Sequence, residues 1–423
     1  MIRKLFAVAA AVLLGSTASA ETLVVHAGRL ITDASRPASG PSTITVVDGR
    51  ITAVASGLNP APAGARLIDM SGRTVLPGLI DTHVHLSGDP GDDFRDQAVT
   101  TPEYSVVVGA RNARTTLKAG FTTVRDVGSP RMVGFALRRG TAEAAFDGPR
   151  IQSSGPSLSI VGGHGDVSGF RPEINAALDE GNTCTGAEAC ATRVREAAKR
   201  GADLIKITAT GGVLSQQARG LGQHFTDAEM KSIVDTAHGL GLRVAAHAHG
   251  ARGIEAAARA GVDSIDHGTF ADARAIAAMK ASGSVLVPTL MAFTGIRERL
   301  GKGIYTPAVE AKIRQTLTEV GKAARLARAS GVPVVFGTDS AVYEHGRNAQ
   351  EFALMVQLAG MTPAEAIASA TTEAAKLMDL QNEVGRIAPG FSADMIAVAG
   401  DPLRDVRALE KVDWVMVRGR VAQ

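Results

Sequence analysis

Leu79-Ile80-Asp81-Thr82-His83-Val84-His85 is an apolar run of strand type that leads into two histidines separated by one residue. Side chains alternate along an extended backbone, so both imidazoles project to the same side and can grip one ion. An isolated His-x-His pair is more often an ordinary surface or core feature. Whether this pair binds an ion therefore has to be judged from the pattern of the rest of the chain.

Seven further strand-type runs follow, and alanine-rich helical patterns such as Asp227–Gly239 separate most of them. Alternating strands and helices are typical of α/β folds built on a parallel sheet. A doubly wound open sheet is the alternative, but eight units in series favour closure into a TIM (β/α)8 barrel. The eight strand candidates are Leu79–Asp81, Thr122–Arg125, Arg150–Gln152, Leu204–Ile207, Arg243–Ala246, Ser264–Asp266, Val285–Val287 and Val334–Phe336.

The two chain ends differ from this pattern, because they contain short strands separated by turns. Asp48-Gly49 lies between Ser42–Val47 and Ile51–Val54 and marks a hairpin. Strands of the same style return near the C-terminus at Trp414–Val417. We therefore predict a small composite β domain over residues 21–78 and 386–423 and the barrel over residues 79–385.

Residues 1–20 have the organisation of a secretory signal peptide. Arg3 and Lys4 precede the apolar run Leu5–Leu14, and Ala18-Ser19-Ala20 fits a cleavage site. A membrane anchor is the alternative, but the run is far shorter than the roughly 20 residues that a spanning helix needs. We expect an exported protein, periplasmic or secreted, with no membrane partner after the signal is removed.

The composition indicates a well-packed globular protein, with 45% hydrophobic and 21% charged residues. Losing Arg3 and Lys4 lowers the net charge from +3 to +1, and no basic run remains to bind nucleic acid. We expect a small-molecule substrate and a homo-oligomer. The only cysteines, Cys184 and Cys190, form a local disulfide or stay as two thiols.

Ligand-type side chains stand at the carboxyl ends of the later strand candidates. His247, His267 and Asp339 each follow such a strand, as His83 and His85 follow the first. Barrel enzymes build their sites at this end. Four imidazoles and one carboxylate suit zinc, but they exceed what one tetrahedral ion with an open position needs. The set predicts two divalent metal ions.

Lys206 lies within the otherwise apolar strand candidate Leu204–Ile207. Burial of a lysine lowers its pKa toward the neutral amine. A neutral amine can take up carbon dioxide, and the oxygens of the resulting carbamate could bridge two metals. The alternatives are a lysine that snorkels to solvent or pairs with a nearby carboxylate.

The order of these residues resembles the binuclear pattern of the amidohydrolase superfamily, and so does the motif Pro77–His83. The resemblance covers nearly the whole mature chain. It implies a more buried metal held by His83, His85 and Asp339, an exposed metal held by His247 and His267, and carboxylated Lys206 between them. Zinc is the expected ion.

Three segments, Gly211–Ser215, His247–Gly250 and Gly337–Asp339, look like the branch that contains imidazolonepropionase and Xaa-Pro dipeptidase-like carboxypeptidases. The exported context makes the chain similar to ochratoxin-degrading amidohydrolases. The resemblance implies cleavage of N-acyl amino acids or dipeptides with a hydrophobic C-terminal residue, including ochratoxin A to phenylalanine and its acyl acid. A hydroxide activated by two metals would attack, with Asp339 as general base.

A substrate of this kind carries a free carboxylate, so the pocket should offer a cation or donors. His164, His249 and Arg219 are the candidate substrate contacts, and His249 also joins Asp339 as a candidate catalytic residue. The alternative for each histidine is a structural role, and for Arg219 a solvated surface charge.

Three other functions are weighed. Hydrolysis of a cyclic amide or lactone, as by imidazolonepropionase, uses the same metal chemistry, and nothing in the ligand set separates the two. A catalytically inactive binding scaffold would be expected to lack ligands. A nucleobase deaminase usually works with one metal, and Lys206 argues against it.

Overall fold

A computed structural model describes residues 21–90, 94–215 and 220–422 of the chain. The predicted signal peptide and Arg219 lie outside these ranges. The strands are β1 (Thr22–Leu30), β2 (Ser42–Val47), β3 (Arg50–Ser56), β4 (Arg66–Pro77), β5 (Leu79–Val84), β6 (Phe121–Asp126), β7 (Arg150–Ser153), β8 (Ser159–Ile160), β9 (Thr183–Cys184), β10 (Leu204–Thr208), β11 (Arg243–Ala248), β12 (Ser264–His267), β13 (Val285–Val287), β14 (Met395–Val398), β15 (Val412–Val417) and β16 (Arg420–Val421).

Helices follow most of the central strands. They are α1 (Pro102–Lys118), α2 (Val133–Ala142), α3 (Pro172–Ala177), α4 (Ala187–Arg200), α5 (Asp227–Gly239), α6 (Ala251–Ala260), α7 (Ala273–Ser282), α8 (Leu290–Arg299), α9 (Pro307–Leu317), α10 (Lys322–Ala329), α11 (Gln350–Leu354), α12 (Pro363–Ser369) and α13 (Thr372–Leu377). A π-helical turn, Met355–Ala359, continues α11, and 3₁₀ turns cover Phe94–Ala98 and Val406–Glu410.

The central strands form the predicted parallel barrel. β5, β6 and β7 pair in one run and β10 to β13 in a second. Leu158 joins the runs, because its N–H donates to the carbonyl of Lys206 over 2.7 Å. On the other side, Val335 donates to Leu286 over 2.8 Å and Thr82 donates to Phe336 over 3.2 Å. Hydrogen bonding thus continues around the whole ring.

The eighth predicted strand, Val334–Phe336, is extended but not a regular strand. It pairs through isolated bridges, Leu286 with Val334 and Val84 with Ser340. The backbone leaves the extended region just beyond it, with φ +61° at Asp339. The irregularity falls where the chain turns a ligand-type side chain into the barrel mouth.

Both ends of the chain contribute to one seven-stranded sheet, ordered β16-β15-β14-β4-β1-β2-β3. The predicted hairpin is confirmed: β2 and β3 are antiparallel and turn at Asp48 and Gly49, with φ +48° and +77°. β14 pairs with β4, placing Met395 opposite Pro77. Because β4 runs through Gly78 into β5, this sheet anchors the strand that carries His83.

The barrel helices have ordinary sequence signals at their ends. α4 and α6 stop at Gly201 and Gly261, both in the left-handed region that favours glycine. α5 starts at a capping box in which Thr226 and Glu229 exchange side-chain and backbone hydrogen bonds. These helices bury aliphatic faces against the strands and form the main core.

Cys184 in β9 and Cys190 in α4 form a disulfide, so the structure contains the bridged alternative. No helix in the described ranges combines the length and apolar character required to cross a bilayer.

Candidate metal centre

A cavity of about 190 Å³ opens at the carboxyl ends of the barrel strands. Its ionisable lining residues are His83, His85, His164, Lys206, His247, His249, His267 and Asp339. The structure therefore brings all six predicted metal ligands to one cavity, although they come from five different strands or strand ends. His164 and His249, the predicted substrate contacts, line the same cavity.

His83, His85 and Asp339 form the first cluster of ligand atoms. Nε2 of His83 lies 3.4 Å from Oδ1 of Asp339, and Nε2 of His85 lies 3.3 Å from the same oxygen. Nδ1 of His85 lies 2.9 Å from the carbonyl oxygen of Gly128. A carbonyl oxygen only accepts, so Nδ1 carries the proton and Nε2 of the neutral ring presents a lone pair to the carboxylate.

Two lone pairs facing each other at this distance call for a proton or a metal cation between them. Burial lowers the pKa of His85, but the carboxylate of Asp339 outweighs this effect and raises the pKa above its usual value. Both ring nitrogens of His83 face a carboxylate: Nε2 faces Asp339, and Nδ1 lies 3.1 Å from Oδ2 of Asp266. A neutral ring has one N–H for these two carboxylates. The donor set therefore fits a bound cation.

His247, His249 and His267 form the second cluster, with ligand atoms within 4.8 Å of one another. Nδ1 of His249 lies 2.8 Å from Oγ1 of Thr269, and Nδ1 of His267 lies 2.7 Å from Oγ1 of Thr289. These hydroxyls hold one ring nitrogen and leave Nε2 for the cavity. His249, predicted to contact substrate, thus stands among the predicted ligands.

The second cluster is held in the neutral form that binds metal. Burial lowers the pKa of His249 to about 3 and the pKa of His247 and His267 well below the usual value. Burial also lowers the pKa of His164 to about 4. Neutral imidazoles at neutral pH are ligands or hydrogen-bond partners and supply no positive charge to a substrate.

Lys206 is buried and forms an ion pair with Asp266. The opposite oxygen of Asp266 accepts from Ser264 over 2.9 Å and lies 3.4 Å from Nη2 of Arg125. Burial lowers the pKa of Lys206, against the opposing charge of Asp266. Without carboxylation, Lys206 therefore pairs with the carboxylate of Asp266. Such a pairing was one of the alternatives that the sequence left open.

Buried Asp81 ties the two strand ends of the first cluster together. Its Oδ1 accepts the N–H groups of His83 and Thr338, both over 3.1 Å, and its Oδ2 accepts from Asn348 over 2.8 Å. Two of the predicted ligands have strained backbones: φ is +61° at Asp339 and +71° at His267. Strain of this kind persists where the surrounding structure enforces it, typically at functional sites.

His164 lies over the second cluster, with its ring centroid 4.3 Å from that of His247. Nδ1 of His164 lies 2.6 Å from Oγ of Ser215. A Cβ at Gly212 would fall 2.3 Å from Cε1 of His164, so only glycine lets this ring approach. Apart from Ser157 and Thr208, the rest of the cavity wall is apolar: Val213, Leu214, Ala292, Phe293, Ile296 and Val342.

Sequence reasoning missed Asp81, Arg125 and Asp266. Each is an ionisable residue within a predicted strand, as Lys206 is, but the strands of Arg125 and Asp266 also contain other polar residues, so the signal there is weaker. His345 does not line the cavity; its Nε2 lies 2.9 Å from the carbonyl oxygen of Gly88.

The chain is similar in sequence and fold to known proteins of one family. Residues 74–422 match the model of the amidohydrolase family. Ochratoxinase from Aspergillus niger is 30% identical over 419 residues, which is 94% of this chain and 85% of the relative. Its crystal structure superposes with a TM-score of 0.83 at 28% identity and covers 95% of both chains.

Two other relatives belong to the branch expected from the sequence. The crystal structure of a Xaa-Pro dipeptidase with bound methionine in its active site superposes with a TM-score of 0.87 at 35% identity, covering 95% of this chain and 99% of the other. An imidazolonepropionase from Rhizorhabdus wittichii is 28% identical over 357 residues, 79% of this chain and 82% of the relative. The resemblance inferred from the motifs is confirmed.

Proposed function

The chain belongs to the amidohydrolase family and is a hydrolase, and on that premise we propose that it cleaves the amide bond of N-acyl amino acids or dipeptides with a hydrophobic C-terminal residue. The observation that carries the proposal is one cavity with two clusters of ligand atoms and an apolar wall. Ochratoxin A, cleaved to phenylalanine and its acyl acid, is one candidate substrate.

Two divalent cations would be held at this cavity. His83, His85 and Asp339 would bind one, His247 and His267 the other, and Lys206, carboxylated by carbon dioxide, would bridge them. Zinc suits the imidazole-rich set. When bound, such ions lower the pKa of a water molecule and polarise a carbonyl group.

Asp339 is proposed as the group that moves the proton. The attacking water adds to the carbonyl carbon, its proton passes to Asp339, and Asp339 returns a proton to the amine nitrogen as the C–N bond breaks. Burial raises the pKa of Asp339, but the imidazoles of His83 and His85 outweigh it and hold the pKa well below the usual range. Asp339 is thus ionised at neutral pH, which is the form that a general base requires.

His249 and His164 are proposed to orient the substrate. His249 belongs to the second cluster and His164 lies over it, and the Nδ1 partners described above leave Nε2 of each ring available. Nε2 can bond the substrate carboxylate or the carbonyl oxygen. Phe293 meets His249 edge to face at 6.5 Å between centroids, so an apolar substrate side chain would rest beside this pair.

The names of the relatives support an amide substrate, since one is an ochratoxinase and another a Xaa-Pro dipeptidase. The similarity to imidazolonepropionase favours hydrolysis of a cyclic amide or lactone as the second candidate. We also propose export through residues 1–20, an environment in which the Cys184–Cys190 disulfide would persist, and assembly as a homo-oligomer.

A hydrolysis screen of the zinc-loaded mature chain tests the proposal. N-acyl amino acids and dipeptides that differ only in the C-terminal residue are compared with cyclic amides and lactones. We expect turnover of free-carboxylate amides, increasing from glycine to phenylalanine at the C-terminus. Turnover of the cyclic compounds alone would replace the proposal with its second candidate.

A further inference from the structure

Glu351 is a fully buried carboxylate outside the candidate metal centre. Its Oε1 accepts the N–H of Leu290 over 2.9 Å, and its Oε2 accepts the N–H of Met291 over 2.6 Å. Among the residues that the structure describes, no lysine, arginine or histidine pairs with it. Burying a carboxylate without a cation is costly, so we ask what this position of the carboxylate contributes.

The two N–H groups belong to the first turn of α8, where a helix has unsatisfied donors. The residue at the usual capping position is Thr289, whose side chain makes no cap hydrogen bond. Its hydroxyl instead lies 2.7 Å from Nδ1 of His267. Glu351, which lies 61 residues beyond Leu290, supplies the hydrogen-bond acceptors that Thr289 does not.

Thr289, which contacts His267 in place of capping α8, has a backbone conformation that threonine rarely adopts. Thr289 has φ +47° and ψ +49°, the left-handed region that is strained for a β-branched residue. The capped first turn of α8 fixes Thr289, the residue that immediately precedes it. The orientation of the His267 ring therefore depends on where α8 begins.

The same helix carries the apolar wall, because Ala292, Phe293 and Ile296 of α8 line the cavity. α8 is also held at its middle: a Cβ on Gly295 would fall 2.6 Å from Cβ of Tyr343. With its start fixed by Glu351 and its middle packed at Gly295, α8 has one axial position.

We propose that Glu351 is a positioning residue that couples the metal centre to the substrate wall. Through Thr289 it sets the orientation of His267, and through α8 it sets the depth of the pocket at Phe293 and Ile296. The part of the inference that concerns the substrate rests on the proposed function.

The test replaces Glu351 with glutamine, which keeps the shape but turns an amide N–H₂ toward a backbone donor. The matched control is Glu229→Gln, because buried Glu229 also accepts two backbone N–H groups at a helix start, from Gly186 over 2.7 Å and Thr226 over 2.8 Å. That helix, α5, contributes no residue to the cavity.

Two measurements separate positioning from simple capping. In competition with a chelator, E351Q should retain zinc about tenfold more weakly than E229Q, because His267 loses its fixed orientation. In hydrolysis, KM of E351Q should rise about tenfold for a C-terminal phenylalanine substrate and at most about threefold for an alanine one, because the wall shifts. The E229Q variant should match the wild type in both.

Equal zinc retention and equal KM ratios in E351Q and E229Q would overturn the inference. If E351Q does not fold, Thr289→Ala decides the first half: it removes the hydroxyl at His267, and wild-type zinc retention in T289A would reject the coupling. A wild-type chain that hydrolyses no amide would reject the proposed function instead, while zinc retention would still decide the inference.

Discussion

The side chains of His83 and Asp266 lie side by side in the barrel interior, with Nδ1 of the imidazole 3.1 Å from Oδ2 of the carboxylate. The same oxygen is the partner of Lys206. One buried carboxylate thus orients a predicted ligand of the first metal and holds the predicted bridging lysine. Metal sites commonly depend on such supporting carboxylates.

Asp266→Asn should weaken both the fold and the metal site. It leaves Lys206 and Arg125 buried without their counter-charge, which destabilises by about 3 to 5 kcal/mol, and it should weaken zinc retention by about tenfold or more. Urea unfolding and chelator competition measure the two effects. The control is Asp263→Asn, which removes a more exposed partner of Arg243 and should cost about 1 kcal/mol with unchanged zinc content. Equal effects of both substitutions would contradict this account.

Lys206→Ala should leave fewer than two zinc ions per chain after dialysis, because the proposed bridge is lost. In the wild type, reloading of stripped enzyme with zinc should be faster with bicarbonate present, whereas the variant should not respond. Elemental analysis and recovery of hydrolysis report the two results. Lys231→Ala, on the surface of α5 beside Asp235, is the control. Two retained zinc ions in K206A would argue for the pairing role of Lys206 alone.

Gly212→Ala should disturb the substrate side of the site selectively. The added Cβ would fall 2.3 Å from Cε1 of His164, so the ring must leave its present position, 4.3 Å from the His247 ring. We expect kcat/KM to fall about tenfold or more, with little change in zinc content. Gly239→Ala is the control, because a Cβ there meets no atom within 4 Å. An unchanged kcat/KM in G212A would show that His164 has no part in substrate orientation.

The free energy of unfolding should decrease as the pH rises, and Glu351 should account for part of this decrease. Burial raises its pKa to about 8, against the two N–H donors that lower it. The folded state therefore favours the protonated form, and the resulting stability, complete below the unfolded pKa of about 4.3, is lost as pH rises toward 8. The difference in unfolding free energy between wild type and Glu351→Gln should change by at most about 1.4 kcal/mol per pH unit. Urea unfolding at several pH values in this range measures it, and a constant difference would contradict the shift.

The metal-ligand candidates were accessible to sequence reasoning because position along the chain encodes position in a barrel. His83 and Asp339 are far apart in sequence, but both follow strand candidates, and the carboxyl ends of parallel strands meet at one face. The irregular eighth strand could not be anticipated, since its apolar residues Val334–Phe336 look like any other strand. Only the positive φ at Asp339 sets it apart.

The supporting residues depend on packing that leaves no periodic signal. Glu351 reads as one more helical glutamate, and its role arises only where α11 meets the start of α8. Arg125 and Asp266 each take a place in the alternating pattern of their own strand, as buried residues do. Their pairing can be predicted only when the order of the strands around the barrel is known. Sequence reasoning therefore reached the ligand candidates and stopped short of what orients them.

The pairing of β4 with β14 has a consequence for the newly made protein. β4 continues directly into the strand that bears His83, yet its neighbour comes from residues 395–398, almost at the end of the chain. A nascent polypeptide emerging in order can pair β4 with β1 at once, but it lacks β14 until the barrel strands between them have been made. The sheet edge that supports the His83 strand is therefore completed only after those barrel strands have emerged.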